Sequence, residues 1–160
     1  MVMDVGTLSL HRFNGTERFS IASAELFLLK GGDDSACSLL FEFEAADTPL
    51  ATLPDTESLR AVPNGEFSVE VVSLDKDDLV GRAFSIPEGD IGGGGLARIY
   101  YVAHDAVRDW TLRVLERDGS QFRVSIEGFC TDVNYYDGSK SDARLVLDAW
   151  FALRPSQSSG

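Results

Sequence analysis

The chain is poor in the residues that would tie it to a staple, a metal or a bilayer. Its two cysteines, Cys37 and Cys130, make neither a disulfide framework nor a paired zinc motif, and both are read as packed thiols. The two histidines, His11 and His104, fall outside any His-Glu-x-x-His pattern. No apolar run approaches the roughly 18 residues needed to span a membrane. The start, Met1 to Phe13, alternates polar and apolar residues and lacks the basic segment and long apolar stretch of a leader. These absences point to a cytoplasmic chain without membrane association. Positive charge is scarce too: 14 Lys and Arg stand against 26 Asp and Glu, for a net charge of −12. That balance opposes nucleic-acid and anionic-membrane binding, and it suits solubility or a basic protein partner.

What is present is two-residue alternation. A length of 160 residues suits one domain, taken as residues 1 to 154 with a disordered tail at 155 to 160. Leu8 and Leu10 begin a first strand, a turn follows at Asn14 and Gly15, and Arg18 to Lys30 comes next. In Ser38 to Ala46, Leu39, Phe41 and Phe43 alternate with Leu40, Glu42 and Glu44. Asp47 to Gly65 carries three prolines and an Asn-Gly signal, so it reads as a long connection with one short helical turn near Glu57. Phe67 to Val71, the acidic tip Asp75 to Asp78 and Leu79 to Ile86 read as a hairpin, and Gly92 to Gly95 as a loop. The expected fold is all-β, an antiparallel β-sandwich or a barrel-like meander.

Its C-terminal part is a four-stranded meander over 97 to 103, 108 to 116, 120 to 130 and 143 to 152. A three-residue loop at Arg117, Asp118 and Gly119, with Gly119 left-handed, sets Val114 opposite Phe122, Leu112 opposite Val124 and Trp110 opposite Ile126. A loop at His104 to Val107 sets Tyr101 opposite Trp110, and pairing Ile126 with Leu147 sets Gly128 opposite Leu145. The alternative is α+β, with a helix over 96 to 117 built on Leu96, Tyr100, Ala103, Val107, Trp110 and Val114. Strands are preferred, because a helix would spread Ile99, Tyr101, Leu112 and Leu115 around its circumference.

The strand registers imply an outer face on which Arg98, Arg113, Arg123 and Trp150 form one lateral row, with Tyr100 in the next. Opposed like charges repel, so compensating carboxylates or a partner are required. Arginine and aromatic residues are enriched at binding hot spots. That face is therefore the candidate partner-binding site, with Tyr135 and Tyr136 on the 131 to 141 loop as a secondary recognition tip.

Chemical motifs are sparse. His104 beside Asp105 could serve a distant Cys37 or Cys130, but nothing in the spacing makes them converge. The pairs Glu42 and Glu44, and Glu66 and Glu70, share strand faces and could support glycoside hydrolysis if held at the right separation, but the ordinary reading is the exposed side of a strand. An EF-hand starting at Asp132 would need glycine and glutamate where Asp137 and Ala143 stand; a looser oxygen-ligand site of Asp132, Asn134, Asp137 and Asp142 is the candidate metal site. No catalytic residue and no cofactor are assigned. The leading expectation is a non-enzymatic protein-binding β-domain, in concrete form an intracellular inhibitor or immunity-type protein that neutralises a basic partner. A carbohydrate- or small-ligand-binding β-module, with or without calcium, is the alternative, and a structural subunit of a larger assembly is the third. No motif fixes an oligomeric state.

Overall fold

The computed structural model describes residues 5–30, 37–55, 62–71, 79–86, 95–101, 103–132 and 139–154. They form an all-β fold: β1 (Gly6–Arg12), β2 (Gly15–Lys30), β3 (Cys37–Ala45), β4 (Asn64–Val71), β5 (Ala83–Ile86), β6 (Gly95–Tyr101), β7 (Ala103–Ala106), β8 (Arg108–Asp118), β9 (Gln121–Cys130) and β10 (Ala143–Arg154). All ten lie in one sheet, ordered β5-β8-β9-β10-β1-β2-β3-β4-β6-β7, which is not closed. The helix considered for 96 to 117 is replaced by β6, β7 and β8. Aromatic and β-branched residues decide this, because their side chains pack on a pleated surface and lose rotamer freedom in a helix.

The β9–β10 ladder has the expected register: Ile126 faces Leu147, Val124 faces Ala149, Phe122 faces Phe151 and Gly128 faces Leu145. The β8–β9 hairpin keeps its inward face but differs in register. Asp118 pairs with Gln121, leaving Gly119 and Ser120 as a two-residue loop, with Gly119 at φ 62° as such mirror-image turns require. That loop alone would turn the apolar residues outward. A register shift between Val114 and Glu116 inserts one extra residue and restores the facing, so Leu112 meets Ile126 and Val114 meets Val124.

The first hairpin of the expected meander does not form. β6 pairs with β4, setting Ala97 opposite Phe67, and β7 folds back on β6 where a loop was expected. Likewise β5 pairs with β8 instead of making a hairpin with β4. For β6 and β8 alternation gave the correct inward face: Ala97, Ile99, Tyr101, Trp110, Leu112 and Val114 are all buried. Alternation carries parity and says nothing of which distant strand is the neighbour.

The sheet bends until its apolar faces meet. Phe41 on β3 packs edge-on against Phe151 on β10 at 5.4 Å, Phe67 on β4 against Trp110 on β8 at 5.4 Å, and Phe19 on β2 against Tyr101 on β6 at 5.7 Å. β1 is the wedge that produces part of the bend. It lies between β2 and β10 only as far as Gly6, beyond which β10 and β2 pair directly and in parallel at Ala152–Glu25. The chain itself bridges the far ends: β7 at one edge runs through Val107 into β8, next to the opposite edge.

Candidate functional site

Inward Leu39, Phe41, Phe43, Phe67 and Val69 on β3 and β4 leave the alternate residues facing out. The registers align those outward residues into rows. Glu25 faces Glu42, Glu42 faces Glu66, and Glu66 faces Arg98; one step along the strands, Ser23 faces Glu44, Glu44 faces Asn64, and Asn64 faces Tyr100. Together they line a surface groove of about 530 Å³.

Three carboxylates in direct lateral succession are unusual, because opposed like charges destabilise a sheet. The row is only partly compensated. Arg154 reaches Glu25 at 3.3 Å from beyond one end, and Arg98 pairs with Glu66 from the other. Glu42, in the centre, and Glu44 beside it have no cationic partner among the described residues. Desolvation in the groove, then the fields of Glu66 and Glu25, push the Glu42 carboxyl above the usual carboxylate range.

A raised carboxyl favours the folded state when protonated, and that contribution is lost as pH rises through its folded value. Glu42→Gln is therefore expected to raise the melting temperature at pH 7 by about 1–3 °C. The gain should shrink in high salt and vanish in acid, where the wild-type carboxyl is itself neutral. Melting curves of both proteins from pH 3 to 8 check this, and a loss of stability at pH 7 would contradict it.

Of the residues expected to form one row, the structure brings Arg123 and Trp150 together as direct cross-strand partners. Arg113 faces Ser125 and Ala83, and Arg98 lies on β6 in the groove described above. The arginine row is thus dispersed, because β6 is not beside β8 and the β8–β9 register sets Glu116, not Arg113, opposite Arg123. Compensation arrives from Asp148, which accepts two hydrogen bonds from Arg123 at 3.1 and 2.9 Å, and from Glu116 at 2.8 Å. These bonds to Asp148 and Glu116 raise the guanidinium pKa. Tyr100 keeps 40% of its surface exposed beside Arg98. Tyr135, Tyr136, Asn134 and Asp137 lie outside the described residues. The two described members of the oxygen-ligand set are directed elsewhere, Asp132 to Arg12 and Asp142 to Arg108 at 2.8 Å.

The Asp132 pairing belongs to a cluster that sequence reasoning missed. Arg12, with a fully buried side chain, donates to Asp132 through Nε at 2.9 Å and Nη2 at 2.8 Å, and to Asp55 through Nη1 at 2.9 Å and Nη2 at 2.6 Å. Glu17 Oε2 lies 3.6 Å from Nη1, and Tyr101 donates to Glu17 Oε1 at 2.9 Å. Burial opposes the charge on Arg12, but the bonds to Asp55 and Asp132 and the nearby carboxylates raise its pKa on balance. A signal was present: Arg12 continues the inward parity of Leu8 and Leu10, and Glu17 that of Phe19 and Ile21. Opposite charges at inward positions of adjacent strands call for a buried pair.

A small cavity of about 10 Å³, the room of about one water, adjoins the cluster between Arg12, Tyr101 and Cys130. Burial, then Asp105, push the Cys130 thiol up to about 12. It stays protonated at neutral pH, the reverse of what a nucleophile needs. Arg12 spends its donors on protein carboxylates and holds three segments together: the β1–β2 turn, the connection bearing Asp55, and the chain leaving β9. In the outer groove, by contrast, Glu42 and Glu44 have no cationic partner among the described residues. Comparison of the chain with protein-family models, with curated proteins and with solved structures gives no match.

Proposed function

We propose that this chain is a non-enzymatic protein-binding β-domain that receives a basic segment of a partner protein in the groove over β2, β3, β4 and β6. The observation that carries the reading is Glu42, set between Glu25 and Glu66 with both neighbouring arginines already committed to those flanking carboxylates. A lysine or arginine from a partner relieves the repulsion and becomes the charge partner that Glu42 lacks within the described residues. The net charge of −12 adds long-range steering towards a basic partner, as an inhibitor or immunity-type protein would use it.

The small-ligand version of a β-barrel gains no such support. Its ligand would occupy the inward face, where the Phe41–Phe151 and Phe67–Trp110 contacts already fill the space.

A hexa-arginine peptide titrated into the protein tests the groove. Backbone amide shifts are expected to move on β2, β3, β4 and β6, and Glu42→Gln should weaken binding about three- to tenfold at low salt, the loss of one charge-assisted contact. Arg113→Gln, on the distant outer face, should leave affinity within about twofold. Unchanged affinity in Glu42→Gln, or shifts confined to another face, would overturn the reading.

A further inference from the structure

The carboxylate row has an apolar neighbour. Phe27 on β2 directly faces Leu40 on β3, both on the outer side of the sheet, and Leu29 follows Phe27 with 38% of its surface exposed. Outward positions on a sheet that faces water are ordinarily polar. Here the apolar pair Phe27 and Leu40, the carboxylates Glu25 and Glu42, and then Ser23 with Glu44 succeed one another along β2 and β3. Two residues along a strand advance about 6.6–6.8 Å, and that is the spacing between these rows. An extended peptide laid along the strands places every second side chain on the same face at the same interval.

We propose that the groove selects an extended segment of a partner protein in which one apolar and two basic residues occupy alternate positions in that order. The apolar side chain sits on Phe27 and Leu40, the first cation meets Glu42, and the second meets Glu44. The inference rests on the groove reading above and adds the order and spacing of what it binds. Charge complementarity fixes the class of occupant, since a row of opposed carboxylates rejects an acidic or neutral segment while the apolar pair rewards a hydrophobic anchor.

Two labelled nine-residue peptides decide it by fluorescence anisotropy. One carries leucine, arginine and arginine at alternate positions among glycine and serine; the other has the same composition with the three residues contiguous. The ordered peptide is expected to bind about five- to tenfold more tightly, the worth of one partly buried leucine. Leu40→Ser should erase that margin and leave the contiguous peptide unaffected, while Glu42→Gln should weaken both. Leu40 points away from the core, so its variant keeps the fold, and a melting curve verifies that. Equal affinity for the two peptides overturns the ordered pattern while leaving the groove reading intact, as does a margin that survives Leu40→Ser. Saturable binding of neither peptide overturns both.

Discussion

Arg12→Met is expected to lower the melting temperature by about 6–20 °C. Removing one partner of a buried ion pair costs about 3–5 kcal/mol, because the charge left behind cannot be rehydrated. A drop of about 2–4 °C per kcal/mol is typical for a chain of this size. Here the stranded groups are two carboxylates, Glu17 and Asp132, both with fully buried side chains, together with the more exposed Asp55. Methionine fills much of the arginine stem but supplies none of the donors that Asp132 and Asp55 share. Asp55→Asn should cost far less, since Asp132 and Glu17 remain on the guanidinium and the Asp55 side chain is 24% exposed. A double-mutant cycle gives the sharpest check: Arg12→Met with Asp132→Asn should lose less than the sum of the two single changes, with coupling above about 1 kcal/mol. A fall of only a few degrees in Arg12→Met would show that the cluster is not holding this end of the sheet.

The cluster also marks what alternation can and cannot reveal. Inward parity placed Leu8, Leu10, Leu39, Phe41, Phe43, Trp110 and Leu112 in the core from the sequence, and all are buried. The same rule, applied to Arg12 and Glu17, would have shown a charged pair in the interior. The β9–β10 register matches the expected pairing of Ile126 with Leu147 to the residue, although alternation fixes only the parity of such a pairing and a slip of two residues would also set apolar against apolar. The position of β6 was not legible. Its inward residues Ala97 and Ile99 fit beside β4 or β8 equally well by pattern, and only packing of the whole bent sheet chooses between them.

That choice moved the candidate site. With β6 beside β4, Arg98 and Tyr100 leave the remaining arginine face and border a groove whose other members, Glu42, Glu44 and Glu66, read singly as ordinary outward carboxylates. A lateral row of carboxylates on three strands is a property of two strand registers at once, and no stretch of sequence contains it. The two outer faces now differ in kind. Arg123 is satisfied by Asp148 and Glu116, whereas Glu42 sits among like charges in a row that lowers stability. A neutral substitute that stabilises the fold and weakens binding is what the proposed function requires of Glu42.

The second large effect is expected at Gly128, where the bend and the strand order depend on a missing side chain. Gly128→Val should lower the melting temperature by about 5–10 °C, the consequence of overpacking by a few kcal/mol. A Cβ at this position would lie 2.6 Å from Val107 Cγ1 and 2.8 Å from Trp110 Cβ. Neither neighbour can yield by swinging a flexible tip. Trp110 Cβ is tied to the β8 backbone and its ring packs on Phe67, while Val107 lies in the short passage where β7 becomes β8. Moving either one moves the stretch of chain that links the two ends of the sheet. Gly128→Ala should show a smaller loss in the same direction, and adding Val107→Ala should recover only part of it, because the Trp110 contact remains. Complete recovery would place all the strain at Val107, and no loss in Gly128→Val would mean that β8 can stand off from β9 at no cost to the Phe67–Trp110 packing that holds the bent sheet together.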